Sequence, residues 1–295
     1  MRFGAFRVFT LECGVVTSPD IDSDRPTRFE GSVLSITIAR ADNGCSFDPE
    51  GIAEGTRALE AFGWEIGSVL LVGTGANFCA GGNVAAFGAA PDRGERLAAD
   101  AALLHRFVRA LAATPAPIVA GVQGWAAGAG MSLVCLADIA LGGPSTQLRP
   151  AYSSIGFTPD GGLSWTLPRI VGHARARQIL LGDETIAADE AARLGILHRI
   201  VGDELVQSEA LRVARTMAAG PTSAYQGTKR LLAASPAASL DEQLDAEAAS
   251  IVEAAESSVG REGVDAFLAK RRPDFTTAKS QPESGEVVEP GEAPA

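Results

Sequence analysis

The segment Gly73-Thr-Gly-Ala-Asn-Phe-Cys-Ala-Gly-Gly-Asn83 directly follows the apolar run Ser68-Val-Leu-Leu-Val72. A continuous apolar run of this kind is typical of a strand that is buried on both faces. Glycines just beyond the strand allow the backbone to approach a ligand closely with its N–H groups exposed. Taken alone, the pattern is also that of an ordinary structural turn.

A second glycine-rich segment, Gly124-Trp-Ala-Ala-Gly-Ala-Gly-Met-Ser132, follows the apolar run at residues 117–122 and opens an apolar helix. The free amides and dipole at such a helix start favour developing negative charge. A nucleotide-binding loop is the rival interpretation. The sequence has neither G-x-x-x-x-G-K-[ST] nor a G-x-G-x-x-G after its first strand with a suitably placed acidic residue, which argues against that rival.

The order of patterns along the chain predicts an α/β layered fold with ligands at strand ends. We expect an N-terminal extension at residues 1–28 and an α/β core at 29–202. A helical oligomerisation region should follow at 203–275. Residues 276–295 are rich in Pro, Glu, Ser and Gly, which predicts a disordered tail.

Composition limits the classes of partner. The net charge of −11 and pI near 4.8 argue against binding to nucleic acid or to an anionic membrane surface. The four cysteines are widely spaced and the chain has three histidines, which favours neither a zinc site nor a disulfide framework. The chain opens without a secretory pattern, and the apolar residues 118–143 include Gln123, Asp138 and several glycines. We therefore expect a cytoplasmic protein without a membrane span.

The two glycine-rich segments become more specific as a pair. In order and spacing the chain resembles the crotonase (enoyl-CoA hydratase/isomerase) superfamily from about Gly31 to Phe275. The matching motifs are Phe78-Cys-Ala-Gly-Gly82, Pro117-Ile-Val-Ala-Gly-Val-Gln-Gly124, Gly128-Ala-Gly130, Ala137-Asp-Ile139, Ile155-Gly-Phe-Thr-Pro-Asp-Gly-Gly162, Leu167-Pro-Arg169 and Ala191-Ala-Arg-Leu-Gly195.

This resemblance implies a spiral of repeated ββα units with a C-terminal helical trimerisation region, as a homotrimer or a dimer of trimers. It implies an acyl-CoA substrate, with coenzyme A as the thioester part and no further cofactor or metal. The amides of Gly82 and Ala129 would form an oxyanion hole for the thioester oxygen. Hydratases of the superfamily carry two glutamates at positions that are here Ser132 and Tyr152. Neither side chain can act as a carboxylate base, although a hydroxyl can still orient water.

Asp160 falls where several isomerases and aromatic dehalogenases of the superfamily have a functional aspartate, and a helix N-cap is its structural alternative. Together with residues 126–133 and 165–168, it makes the chain most similar to the ring-1,2-epoxyphenylacetyl-CoA isomerase and Δ3,Δ2-enoyl-CoA isomerase branch. Asp160 would then move a proton from C2 to C4. Apolar surroundings are expected from Phe157, Leu163 and Trp165. Three alternatives stay open: an atypical hydratase, a dehalogenase- or hydrolase-type enzyme with Asp160 as nucleophile, and a non-catalytic CoA-binding protein.

The remaining candidates are implied by the same resemblance. His105 lies beside the apolar stripe of its helix and can reach the acyl pocket, with a satisfied or surface histidine as the alternative. The residues expected to contact coenzyme A are Cys45, Ala80, Gly82 and Gly128, together with the basic pair Lys270 and Arg271 for its phosphates. The acyl group, from fatty or aromatic acid metabolism, is not specified by the sequence.

Overall fold

The computed structural model describes residues 26–63 and 65–279. The predictions for residues 1–25 and 280–295 therefore lie outside the described residues. The strands are β1 (Thr27–Glu30), β2 (Val33–Ala39), β3 (Ser68–Gly73), β4 (Ile118–Val122), β5 (Trp125–Ala127), β6 (Ile139–Gly142), β7 (Gln147–Arg149), β8 (Ile186–Ala187) and β9 (Arg199–Ile200). The helices are α1 (Pro49–Ala61), α2 (Val84–Gly88), α3 (Arg93–Ala113), α4 (Ala129–Leu136), α5 (Leu163–Val171), α6 (His173–Gly182), α7 (Ala188–Arg193), α8 (Val206–Ala218), α9 (Thr222–Ala234), α10 (Leu240–Glu256), α11 (Ser258–Leu268) and α12 (Phe275–Lys279).

The main sheet has the strand order β1-β2-β3-β4-β6-β9 and is parallel except for the β1–β2 pair. Its central strands are continuous apolar runs because helices cover both faces. The face carrying Ile36 and Leu71 packs on α1 and α3, while the face carrying Leu70 and Val119 packs on α8. A smaller sheet, β5-β7-β8, holds the second glycine-rich segment. The predicted α/β class is confirmed.

Helix α8 belongs to the core rather than to the helical region predicted from residue 203. The chain divides between Ala218 and Ala219. A Cβ added to Gly121 would lie 2.9 Å from the Cβ of Ala210, so α8 comes close to β4. The buried Ser68 hydroxyl also donates to the Ala214 carbonyl at 2.8 Å. The helical pattern was predicted, but its attachment to the sheet was not.

Both predicted termini contain ordered structure at their inner ends. Strand β1 begins within the expected N-terminal extension, at Thr27 and Arg28, and pairs antiparallel with β2. Helix α12 overlaps the expected disordered tail, since its start is held by the Asp274 carboxylate, which accepts from the amides of Thr276 and Thr277 at 3.1 Å. The predicted disorder is therefore wrong for residues 276–279.

The C-terminal unit is built from α9 to α12. A capping box between Ser239 and Glu242 starts α10, and the Ser257 hydroxyl caps α11. Several large apolar side chains of this unit are more than half exposed in the single chain: Leu232, Leu240, Ile251, Val264, Phe267 and Leu268. Exposed apolar surface of this kind marks interaction sites. The trimer or dimer of trimers stays a prediction, which analytical ultracentrifugation tests directly.

Two further features concern the predictions made from the cysteines and from the apolar segments. Cys45 is disulfide-bonded, which the cysteine spacing did not predict. Within the described parts of the chain, no helix combines the length and the apolar character that a membrane crossing requires.

Candidate active site

The two glycine-rich segments lie side by side. The amide of Phe78 donates to the carbonyl of Gln123 at 2.8 Å, and the amide of Cys79 donates to that of Trp125 at 3.1 Å. The amide of Ala127 in turn donates to the Cys79 carbonyl at 2.8 Å. These bonds form a short parallel bridge between the loop after β3 and strand β5. The first glycine-rich segment is therefore held in register with the second.

Glycine is required where the segments meet. Gly81 and Gly128 have φ angles of +94° and +53°, and a Cβ on Gly128 would lie 3.5 Å from the Cα of Gly81. A Cβ on Gly130 would come within 2.5 Å of the Cys79 carbonyl oxygen. Side chains here would push the two segments apart. The close approach brings Gly81 beside Gly128, each of which precedes a predicted oxyanion-hole residue.

Those next residues are Gly82 and Ala129. Gly82 is exposed, and Ala129 is the first residue of α4. Across residues 26–63 and 65–279, neither of these two backbone amides donates a hydrogen bond to another residue. The first amides of a helix lack intrahelical acceptors. The site therefore offers two free N–H donors, one of them at a helix N-terminus.

A hydrogen-bonded cluster of Ser132, Tyr152 and Asp160 lies next to these segments. The Tyr152 hydroxyl donates to Oδ1 of Asp160 at 2.6 Å. The fully buried Ser132 hydroxyl lies 3.0 Å from the Asp160 carbonyl oxygen and 3.2 Å from that of Gly128. A Cβ on Gly128 would lie 4.0 Å from Cζ of Tyr152. The structure thus brings three predicted site residues together beside the glycine-rich pair.

The protonation state of Tyr152 is set by its surroundings. Burial, followed by the charge of Asp160 and the hydrogen bond to it, raises the pKa of the Tyr152 phenol well above its ordinary value. The phenol therefore stays protonated and acts as a donor. Oδ2 of Asp160 has no hydrogen-bond partner among the described residues. One carboxylate oxygen is held by Tyr152, and the other is open.

The alternative role of Asp160 as a helix cap is excluded. The N-cap of α5 is Gly162, with a φ angle of +84° and no side-chain hydrogen bond. Asp160 is instead placed by the turn before this helix, where its carbonyl accepts from the amide of Leu163 at 3.1 Å. Its carboxylate therefore does not accept a hydrogen bond from the first amides of α5.

His105 reaches the same turn from α3. Its Nε2 accepts a hydrogen bond from the amide of Gly161 at 3.3 Å, one residue after Asp160. Gly161 has a φ angle of +58°, and a Cβ there would lie 3.0 Å from Cβ of Ser132. This hydrogen bond satisfies the imidazole, which was the alternative interpretation of His105, and it supports the backbone beside Asp160. Contact between His105 and the acyl pocket stays a prediction.

The expected apolar enclosure of Asp160 is only partly present. Leu163 is fully buried, but Phe157 and Trp165 are 38% and 54% exposed. Phe157 pairs instead with Phe87 of α2, at 5.8 Å between ring centroids. A Cβ on Gly82 would lie 3.9 Å from Cε1 of Phe87. An aromatic pair therefore lies beside one of the free amides.

Comparison with known proteins identifies the family of this chain. A family model described as enoyl-CoA hydratase/isomerase matches residues 28–278. The chain belongs to this family. The 1,2-epoxyphenylacetyl-CoA isomerase of Escherichia coli (strain K12) is 36% identical over 254 residues, which cover 84% of this chain and 96% of the relative. A probable enoyl-CoA hydratase of Rhodobacter capsulatus is 37% identical over 224 residues, covering 75% and 85% respectively.

A solved structure of an enoyl-CoA hydratase from Polaromonas sp. JS666 is similar with a TM-score of 0.78 and 34% identity, over 84% of this chain and 97% of that one. The predicted crotonase fold is confirmed. The protein is an enzyme of the enoyl-CoA hydratase/isomerase superfamily that binds acyl-CoA thioesters. Its relatives include both isomerases and hydratases by name.

The residues expected to contact coenzyme A in the core are largely used within the protein. The amide of Ala80 donates to the Cys45 carbonyl at 2.7 Å, and the amide of Gly128 donates to the Arg149 carbonyl at 3.1 Å. The side chain of Cys45 is fully buried. These residues hold the site loops in place. A contact between coenzyme A and these residues stays a prediction.

The basic pair lies in the C-terminal unit. Arg271 forms a two-pronged ion pair with Glu262, at 2.6 and 2.7 Å, and this interaction lowers the pKa of the Glu262 carboxyl. Lys270 is exposed and has a φ angle of +53°. The charge of Arg271 is therefore already partnered, and phosphate binding by this pair stays a prediction. Within the described residues, no cluster of three His, Cys, Asp or Glu side chains is arranged to hold a metal.

Sequence reasoning missed two contributors to the site. Phe87 lies four residues after the glycine-rich segment, in a short helix without a clear periodic pattern. Asp183 contacts the loop that carries Tyr152 from 32 residues away, through the amide of Ala151. A contact between loops at that separation leaves no local signal in a single sequence.

Proposed function

We propose that this protein is an enoyl-CoA isomerase, in which Asp160 moves a proton between C2 and C4 of a 3-enoyl-CoA thioester. One observation carries the proposal. The Asp160 carboxylate is held by the Tyr152 phenol next to the two free amides. The resemblance to the superfamily supports the proposal, since it matches Ser132 and Tyr152 to the two positions where hydratases have glutamates. The chemistry available there is that of one carboxylate and one oxyanion hole.

The amides of Gly82 and Ala129 would accept the thioester oxygen. Removal of a proton from C2 places negative charge on that oxygen, and fixed donors at this position stabilise the transition state. Each donor of this type contributes about 2.7–4 kcal/mol. The N-terminus of α4 adds a favourable dipole at Ala129. Neither amide donates to another of the described residues, so the two donors need no rearrangement before the reaction.

The proton transfer needs a single carboxylate. Oδ2 of Asp160 takes the C2 proton, and the electrons of the C–H bond move into the thioester to give a dienolate. The protonated Asp160 then returns the proton to C4, which leaves the double bond between C2 and C3. The Tyr152 hydroxyl fixes Oδ1 and so directs Oδ2 to the substrate. Such general acid–base catalysis contributes about 10²–10⁴-fold.

Water addition is less well supported by this arrangement. The Ser132 hydroxyl is fully buried and lies within hydrogen-bond distance of two backbone carbonyls, and Tyr152 is committed to Asp160. Neither is placed to remove a proton from water. An atypical hydratase, a dehalogenase- or hydrolase-type enzyme and a non-catalytic CoA-binding protein remain as the rival functions to be tested.

The test uses purified protein with 3-enoyl-, 2-enoyl- and aryl-CoA thioesters. We expect conversion of 3-enoyl-CoA to the conjugated 2-enoyl-CoA, followed by its absorbance, and a loss of about 10²–10⁴-fold in kcat for Asp160→Asn. Asp189→Asn, at an exposed aspartate of α7, is the matched control and should retain full activity. Isomerisation at the wild-type rate by Asp160→Asn would exclude Asp160 as the base. Faster hydration than isomerisation would favour the hydratase.

A further inference from the structure

The Asp183 carboxylate holds the loop that carries Tyr152. Its Oδ2 accepts from Nη2 of Arg149 at 2.7 Å, and its Oδ1 accepts from the amide of Ala151 at 2.6 Å. The side chain of Asp183 is only 8% exposed. A single buried carboxylate therefore fixes the end of β7 and the residue immediately before Tyr152.

The loop adopts a conformation that its sequence disfavours. Ala151 has a φ angle of +59°, in the left-handed region that residues other than glycine rarely occupy. Asp183 itself has a φ angle of +49°. Such conformations persist only where surrounding contacts enforce them, and they concentrate at functional sites. At Ala151 the enforcing contact is the hydrogen bond to Asp183.

The same ion pair reaches the second glycine-rich segment. The Arg149 carbonyl accepts from the amide of Gly128, the residue before Ala129. The Asp183 carboxyl is charged at neutral pH. Partial burial raises its pKa, but hydrogen bonds from Arg149, Ser154 and Ala151 outweigh burial and lower it below the ordinary value. The contact between Asp183 and Arg149 is therefore an ion pair at neutral pH.

We propose that Asp183 is a positioning residue, which holds Ala151 in the left-handed conformation and thereby aims the Tyr152 hydroxyl at Asp160. The catalytic consequence rests on the proposed function, but the geometric claim does not. Loss of the carboxylate charge should let the loop relax to an ordinary conformation and draw the phenol away from Asp160. A misplacement of about 1 Å at a reacting group lowers the rate by about 10²-fold.

Substitution at Ala151 separates positioning from general stability. Asp183→Asn should lower kcat by about 10²-fold with little change in KM, because the error lies in the acid–base group rather than in substrate binding. Glycine occupies the left-handed region without penalty. Adding Ala151→Gly to Asp183→Asn should therefore restore most of the lost kcat. A purely structural role for Asp183 predicts no such rescue.

A second readout does not depend on activity. The chain has two tyrosines, so in a Tyr225→Phe background carbon-13 at the tyrosine Cζ reports on Tyr152 alone. Asp183→Asn should shift the Tyr152 signal and lower the pKa of its phenol, and Ala151→Gly should reverse both changes. Inactivity of the wild type on every thioester would overturn the proposed function but leave this measurement decisive for Asp183.

An unchanged Tyr152 signal in Asp183→Asn would overturn the positioning role, as would a shifted signal that Ala151→Gly fails to restore. If Asp183→Asn does not fold, Asp183→Glu replaces it, because the longer side chain moves the carboxylate and disturbs its hydrogen bond with the Ala151 amide. It should shift the Tyr152 signal, and an unchanged signal would again overturn the proposal.

Discussion

The residue that most distinguishes this site is Tyr152. The resemblance to the superfamily matches it to a position where hydratases have a glutamate, and its hydroxyl donates a hydrogen bond to Asp160 at 2.6 Å. The raised pKa of its phenol, which burial causes first and the charge of Asp160 second, keeps that donor protonated. At the residue scale, Tyr152 is therefore a hydrogen-bond donor to Asp160.

Replacing Tyr152 by phenylalanine tests this interpretation. The variant keeps the ring and removes only the hydroxyl. We expect kcat to fall by about tenfold or more, because a hydrogen bond to a charged group contributes about 1.5–3 kcal/mol. KM should change little, and steady-state kinetics with a 3-enoyl-CoA measure both. Tyr225→Phe, in the C-terminal unit, is the matched control. A raised KM with unchanged kcat would show that Tyr152 only lines the pocket.

Individual site residues were predictable to differing degrees. The resemblance to the superfamily singled out four side chains that the structure brings close together: Asp160, Ser132, Tyr152 and His105. The hydrogen bond between Tyr152 and Asp160 was not predicted, because it depends on the turn between them. The exposure of Trp165 also differs from expectation, since an apolar side chain near a motif need not face it.

At the scale of elements, the site depends on the contact between the loop after β3 and the start of α4. Gly130 is the narrowest point, with the Cys79 carbonyl 2.5 Å from where a Cβ would lie. A buried strand is recognisable in the sequence as a continuous apolar run, so the strands β3 and β4 that lead into the site were predicted. The packing of α8 on the sheet was not, because the small residues that allow it, such as Gly121 and Ala210, have no periodic signal of their own.

The Gly130→Ala variant tests whether this contact forms the oxyanion hole. The added methyl group should push the loop of Gly82 away from α4 and misalign the two amides. We expect kcat to fall by about 10²–10³-fold, the effect of losing one oxyanion donor. Gly94→Ala, in the first turn of α3 with no atom closer than 3.4 Å to the added carbon, is the control. Wild-type kcat in Gly130→Ala would mean that the contact does not govern catalysis.

At the scale of the whole molecule, two buried thiols should make stability depend on alkaline pH. Burial raises the pKa of Cys79 to about 11 and that of Cys135 to about 12. In the unfolded chain both thiols ionise near pH 8.5. Above that pH, and up to the folded pKa values, the folded state holds more protons than the unfolded state. The free energy of unfolding should therefore fall as the pH rises, by about 1.4 kcal/mol per pH unit and thiol.

Urea unfolding at pH 8, 9 and 10 measures this slope. The Cys79→Ala/Cys135→Ala double variant should lose stability at every pH because it leaves cavities, yet its stability should depend less on pH. Equal slopes in the variant and the wild type would show that these thiols do not titrate as the structure implies.

The central claim is that Asp160 removes a C2 proton while the amides of Gly82 and Ala129 hold the enolate. Exchange of the C2 hydrogens of a saturated acyl-CoA with D2O measures this step most directly, because such a thioester can neither isomerise nor add water. NMR follows the exchange in the wild type, Asp160→Asn and Asp189→Asn. We predict rapid exchange in the wild type and in Asp189→Asn, and a rate at least about 10²-fold lower in Asp160→Asn. Exchange at the wild-type rate in Asp160→Asn would contradict the account.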